Sequence, residues 1–402
     1  MRDAWQAGTG MVQDAHLLEV AGSCVSKLTA VVAQDAIPPA SPSVLVDLLC
    51  ISADSLRECL RLCKELADDG LPLVLPPLLV QQIFHVLREH AGDSMKRRYS
   101  GEVAAREDGE EREDKLQSHI SDAVGWTIKL AKAAAVEPFV QELAPLAVGL
   151  LGAEGEGVTD AKSFALCMLL DLIEYAGEAA QRFGPEVLPV LVQGIQQDLV
   201  GMGQTCVYGF GVLAQHGGAF FEPSVAPAVG VISAVLAHEV EGGGEADEED
   251  LEEAAEVLER AKDNARSALV KVALYRPQQC RPQELLAAVL PDYPLESDAF
   301  EATESHELLL REFGAGNELL LGPGMANVPE LLRIFMAVLS AVEDEQSDDP
   351  AVWEALPLSL RGRELAARII AEFLTRAQPE VVEASVKHAA ARGVGVPRCL
   401  TG

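Results

Sequence analysis

Cys59 and Cys63 stand four residues apart in "SADSLRECLRLCKELADDG", a spacing that sets two thiols on one face of a helix. Two thiols alone do not make a tetrahedral zinc site, and no second Cys or His pair follows at a zinc-site interval. The eight cysteines are otherwise scattered, and we expect most to be buried, reduced thiols, as in the cytosol or nucleus. His238-Glu239 and His306-Glu307 each begin a metalloprotease-like pattern, but neither has the second His four residues on. "GFGVLA" and "GAGNELLLGPG" lack the G-x-G-x-x-G spacing of a dinucleotide loop, and no strand-like run precedes either. There is no P-loop and no G-x-S-x-G. The reading is therefore no enzyme, no catalytic residue, no metal site and no cofactor.

Charge offers a different chemistry. The chain of 402 residues carries 63 acidic and 31 basic side chains, a net charge of −32. Such a surface repels nucleic acid and anionic membranes and attracts basic proteins. The run 239–253, "EVEGGGEADEEDLEE", holds nine carboxylates and no base. Asp247, Glu248, Glu249 and Asp250 at its centre are the candidate contacts for a basic partner; a purely solubilising run is the alternative. An EF-hand loop would need a different spacing. Residues 342–350 hold five more carboxylates, and residues 92–115 start basic, with "KRR" at 96–98, and turn acidic. The basic end is read as pairing with its own acidic tail rather than as a nuclear localisation signal. All three stretches are expected to be exposed loops. No apolar run is expected to span a bilayer, and residues 1–20 lack the apolar core of a secretory signal.

The elements that must position these groups read as helices. Leu, Ala and Val dominate an apolar content of 49%, with only 5% aromatics, a mixture that favours helix over sheet. Four segments share a proline and an i, i+3, i+4, i+7 apolar stripe. The stripes are Leu143-Leu146-Ala147-Leu150, Leu188-Leu191-Val192-Ile195, Val225-Ala228-Val229-Ile232 and Leu331-Ile334-Phe335-Val338. The prolines are expected in first turns. Pro145 to Pro189 is 44 residues and Pro189 to Pro227 is 38, a period close to that of HEAT repeats. "QTCVYGFGVLAQHGG", Gln204 to Gly218, reads as the first helix of one unit. Gly209 and Gly211 would let a neighbouring helix approach closely, which offsets their poor helix propensity. The expected fold is all-α, an α-solenoid superhelix of HEAT repeats. It forms a single elongated domain over 1–391, with a flexible tail over 392–402.

"YGFGVLAQHGG" followed by "FFEP", "LLLGPGMANVPELLRIF" and "SDAVGWTIKLAKAAAVEPFVQELAPLAVGLL" resemble late repeats of the importin-β (karyopherin-β) superfamily. The nearest likeness is to the karyopherin β3, or importin five, subgroup, and it runs from about residue 12 to about residue 375. The resemblance implies a nuclear import receptor, or the C-terminal portion of one, moving between cytoplasm and nucleus through the nuclear envelope pores. Its partners would be basic protein cargo such as ribosomal proteins or histones, and phenylalanine-glycine nucleoporins. Cargo would meet carboxylates on the second helices of repeats and in the acidic loops. Ran GTPase binding is left open, because the N-terminal repeats that make most of that contact are not in this chain. A HEAT scaffold for assembling protein complexes is the alternative reading, and periodicity alone does not separate the two.

Overall fold

The computed structural model describes Ser23 and residues 42–68, 74–100, 109–131, 133–152, 159–197, 199–239, 248–344 and 358–397. Every regular element among the described residues is a helix. The chain divides into two compact units, Met1–Val187 and Leu188–Gly402.

The first unit holds α1 (Pro42–Asp68), α2 (Pro77–Tyr99), α3 (Gly109–Leu130), α4 (Ala133–Leu151), α5 (Thr159–Tyr175) and the short α6 (Glu178–Gln181). α1, α3 and α5 pack side by side as first helices, with α2 and α4 behind them as second helices. Their buried stripes follow helical spacing. α1 buries Leu56, Leu60 and Cys63, and α3 buries Leu116, Ile120, Val124 and Ile128, so each face closes on its neighbour. The division between units falls within α7 (Gly184–Gln197).

The second unit continues with α8 (Leu199–His216), a 3-10 turn (Gly218–Ser224), α9 (Val225–Leu236), α10 (Glu248–Tyr275) and α11 (Pro282–Val289). Then come α12 (Ala299–Gly314), α13 (Glu318–Leu321), α14 (Val328–Asp344), α15 (Leu360–Arg376) and α16 (Pro379–Ala391). First helices α8, α10, α12 and α15 pack in sequence, α9, α11 and α14 are second partners of the first three, and α16 packs against α14. This is the all-α, HEAT-type solenoid pairing within each unit. The expected stripe of α14, Leu331, Ile334, Phe335 and Val338, is buried throughout.

In α8, Val207, Phe210, Gly211 and Ala214 are all buried, as is Gly209. A Cβ at Gly211 would stand 3.1 Å from Lys271 Cδ and 3.5 Å from Ala268 Cα, so α8 lies close against α10 there. Gly218 turns the chain with φ 64°, a left-handed value that glycine adopts without a Cβ clash.

Several expectations need correction. Pro145 lies deep inside α4 and Pro189 lies inside α7, not in first turns. Both prolines are exposed, as are Gln141 and Pro185 four residues earlier. The carbonyls that lose a helical partner therefore sit on the solvent side, where water takes the bond. Leu146, expected in a stripe, is 58% exposed, while Val136, Val140, Ala144, Ala147 and Leu151 are buried. Because α4 starts as early as Ala133, that earlier set decides which face turns inward.

Where they are described, the charged stretches are mostly helical rather than loops. α2 runs to Tyr99, α3 begins at Gly109, α10 begins at Glu248 and α14 runs to Asp344. Glu, Lys and Arg are good helix formers, and buried bonds secure the first stretch. Arg97 Nη2 donates to Glu113 Oε2 at 3.0 Å, and Ser94 Oγ donates to the same oxygen at 2.7 Å. Residues 101–108, 240–247, 345–350 and 398–402 of the expected loops and tail lie outside the described residues. Gly218–Leu236, the 3-10 turn run on into α9, does have the length and apolar composition of a membrane span. Glu222, Pro223 and Pro227 obscure that in the sequence. Within its unit the segment buries Phe221, Val225, Ala228, Ile232 and Val235.

Candidate functional site

Of the predicted acidic contacts, Asp247 lies outside the described residues, and Glu248, Glu249 and Asp250 form the opening turn of α10. Negative residues are favoured at that positive end of the helix dipole. Further along α10, Glu252, Glu253, Glu256 and Glu259 are exposed. Two of these meet cations on their own helix: Glu256 lies 3.5 Å from Arg260, and Glu259 lies 2.8 Å from Lys262.

Carboxylates are spread unevenly over the second helices: Glu89 and Asp93 on α2, Glu137 on α4, Glu284 on α11 and Glu380 and Glu383 on α16 are exposed, whereas α7 and α9 have almost none. α9 has no charged residue, and Glu186 is the only one on α7. Their exposed positions include Pro189, Gln193, Gln196 and Gln197 on α7 and Pro227, Gly230, Ser233 and Ala234 on α9. A groove of about 750 Å³ is lined by Ile195, Leu199, Pro227, Gly230, Val231 and Ala234, with His238 among its polar neighbours. It suits an apolar side chain, and no carboxylate lines it. Among the first helices, α10 carries the exposed carboxylates named above, and α3 exposes Glu111 and Asp114.

Behind α10 lies a buried polar network. Asp263 Oδ2 accepts the backbone N–H groups of Glu296, Ser297 and Asp298 at 3.0, 2.7 and 3.2 Å. Asp298 then caps α12: its Oδ1 accepts from Glu301 N at 3.1 Å. Its Oδ2 accepts from Gln204 Nε2 and Asn264 Nδ2, each at 2.7 Å. Glu301, itself buried, receives Lys271 Nζ at 2.7 Å and the Ser267 hydroxyl. Burial pushes the Glu301 carboxyl above its usual range, against the pull of Lys271. The segment before α12 is held from other sides too: Leu295 N donates to His306 Nε2 at 3.1 Å, and Arg333 donates to the Tyr293 carbonyl. Arg333 also bonds Glu330, which bonds His388 of α16. Burial works against the Glu330 carboxylate, but these two partners outweigh it and hold its pKa below the ordinary value.

The first unit has a shallower lattice between α1 and α3. Arg57 reaches Asp54 at 2.8 Å, Glu58 at 2.6 Å and Asp122 at 3.5 Å, and Arg112 reaches Asp47 at 3.2 Å. His119 Nδ1 lies 3.6 Å from Asp54. Burial lowers the His119 pKa, opposed by Asp54, and burial raises that of Asp122. Lys129 lies 4.7 Å from the ring centres of both Trp126 and Tyr175.

Sequence reading missed both networks, since the pairs that join their helices, such as Lys271–Glu301 and Arg57–Asp122, lie 30 and 65 positions apart. One signal was present: Asp298-Ala-Phe-Glu301 is the spacing of a capping box. Among the described residues no group of three or more His, Cys, Asp or Glu is arranged to hold a metal.

No family model matches the chain. Among curated proteins, human importin-4 is 26% identical over 226 residues, covering 56% of this chain and 19% of that protein. A probable importin-5 homolog of Dictyostelium discoideum is 22% identical over 321 residues, covering 77% of this chain and 28% of that one. The chain is similar in sequence to importins over part of its length. Importin-4 and importin-5 relatives both match, so they do not single out the karyopherin β3 subgroup. The chain spans less than a third of the length of these importins. Among solved structures, a crystal structure of importin-β is 14% identical with a TM-score of 0.43, covering 95% of this chain and 37% of that one. Yeast importin-β is 16% identical with a TM-score of 0.36, covering 93% and 45%.

Proposed function

We propose that this chain is a nuclear transport receptor of the importin type, or a segment of one, that binds basic protein cargo. The observation that carries the reading is the sequence relationship to importins. The net charge of −32 and the exposed carboxylates of α10 support it, because they raise the local concentration of a Lys- or Arg-rich partner and speed its encounter. Ribosomal proteins and histones are the cargo class proposed. Phenylalanine-glycine nucleoporins are the pore partners, and the route runs between cytoplasm and nucleus through the pores. Ran belongs to the same proposal only through the family: one similar structure is of yeast Kap95p with RanGDP.

Binding of basic histone or ribosomal-protein peptides, beside neutral peptides of equal length, tests the cargo reading. Affinity should fall steeply from low to physiological salt. The replacement of Glu252, Glu253 and Glu256 by Gln should weaken basic peptides alone. Equal binding of basic and neutral peptides at low salt overturns it. Retention of phenylalanine-glycine peptides separates a transport receptor from a scaffold of the same fold, which would not retain them.

A further inference from the structure

Lys96, Arg97 and Arg98 form the one place in the chain where Lys or Arg residues adjoin, and Ser100 follows them. α2 ends at Tyr99, and Ser100 is exposed in the turn beyond it. Its N–H donates to the Lys96 carbonyl at 2.9 Å, which closes the final turn. Its hydroxyl donates to the Arg97 carbonyl at 3.0 Å. The last turn of a helix opens at low free-energy cost.

Arginines three and two residues before an exposed serine suit the acidic cleft of an Arg-directed serine kinase, because each guanidinium forms charge-assisted bonds with carboxylates. Arg97 is already committed to such a bond. Its Nη2 donates to Glu113 Oε2 at 3.0 Å, and its Nε donates to Glu113 Oε1. The Arg97 side chain keeps 15% of its surface and that of Glu113 keeps 2%. Gln117 Nε2 supports this clasp by donating to Ser94 Oγ at 3.2 Å. A kinase must therefore take Arg97 from a buried carboxylate, and unpairing a buried charge is costly. Lys96 is not held in that way: it is exposed and meets Asp93 at 2.8 Å on its own helix.

We propose that Ser100 is a phosphorylation site for an Arg-directed serine kinase, gated by the Arg97–Glu113 clasp between α2 and α3. Ser100 Oγ attacks the terminal phosphorus of ATP, the bond from that phosphorus to ADP breaks, and the hydroxyl proton passes to the base of the kinase. The phosphoserine no longer donates to the Arg97 carbonyl. It sets a phosphate three and four residues after Arg97 and Lys96, within side-chain reach on a helix end. Arg97 thereby gains a second partner whenever the clasp opens. The added charge also stands at the negative end of the α2 dipole. Both effects loosen the end of α2. The inference does not depend on the transport reading.

The test treats the full chain with ATP and the catalytic subunit of protein kinase A, and locates the phosphate by mass spectrometry. A peptide of residues 95–105 is the ungated reference. Ser100 of the native chain should be phosphorylated, more slowly than in the peptide. Arg98→Ala should slow the reaction by about tenfold in chain and peptide alike. Glu113→Gln should speed the chain toward the peptide rate, because an amide holds Arg97 without charge. Phosphorylation should lower hydrogen-exchange protection over residues 91–99. If Glu113→Gln does not fold, the ratio of the native to the peptide rate decides the gate. An unmodified Ser100 in the chain or the peptide overturns the site, as does an unchanged rate for Arg98→Ala. Equal rates for native chain and peptide overturn the gate.

Discussion

The lattice between α1 and α3 and the network between α10 and α12 are built from the same side-chain types at different depths. In the first, Arg57 and its partners Asp54 and Asp122 keep 28% and 44% of their side-chain surface. In the second, Lys271 and Glu301 keep 8% and 5%. Water screens the shallow pairs and replaces a lost partner at little cost. It does neither at the deep pair, where removal of one charge strands the other. Charge is thus an adjustable surface property in the α1–α3 lattice and a structural component in the α10–α12 network.

The largest effect should come from stranding a charge. Glu301→Ala takes the carboxylate away from the buried Lys271 ammonium, and should destabilise the second unit by about 3–5 kcal/mol in urea unfolding. Changing both residues to apolar ones of similar size should restore most of that loss. A loss below about 1 kcal/mol for Glu301→Ala would erase the contrast between the units.

Overpacking comes next. Gly211→Leu drives a side chain against Lys271 Cδ and Ala268, and should cost about 1–3 kcal/mol, read as a lower Tm. An unchanged melt would show that α8 and α10 do not approach as described.

Protonation distinguishes the units by pH. The folded pKa of His119 lies below its ordinary 6.5, so the unfolded chain takes up its proton first as pH falls. The stability it confers is present above 6.5 and is lost as pH falls through the folded value. Glu330, lowered from 4.5, follows the same sign in a lower window: its contribution is present above 4.5 and is lost in stronger acid. Hydrogen exchange should therefore report weakening around α3 at a higher pH than around α14. His119→Asn should flatten the first response, and Glu330→Gln the second. Loss of protection in the reverse order would contradict these assignments.

The smallest effect belongs to the surface. Arg57→Ala should cost less than about 1 kcal/mol, and added salt should shrink even that.

Legibility in the sequence followed the physics of each feature. The stripe of α14 was readable because apolar burial repeats locally, at 3.6 residues per turn. The same rule failed at Leu146, since the stripe alone did not reveal how far back α4 extends. Charged helix ends such as Ser94–Tyr99 were read as loops because apolar periodicity is silent on a helix held by Arg97 and Glu113. Gly209 and Gly211 were legible as a departure from helix propensity, and the structure places both among buried residues of α8. Asp263 was not, because its partners are backbone N–H groups of Glu296 to Asp298, which leave no mark on residue type. Carboxylates on second helices, expected from the family resemblance, are unevenly placed, since α16 exposes Glu380 and Glu383 while α9 has none.

Gly211, Lys271 and Glu301 have a consequence for how this sequence is able to drift. The aliphatic stem of Lys271 passes the space where Gly211 lacks a Cβ, and its ammonium ends on Glu301. A larger residue at 211 displaces the stem, a shorter one at 271 abandons the carboxylate, and a neutral one at 301 abandons the ammonium. Each single step descends, whereas combined steps recover what the singles lose. The three positions therefore form one heritable unit, and substitutions at them should be found together in descendants or not at all.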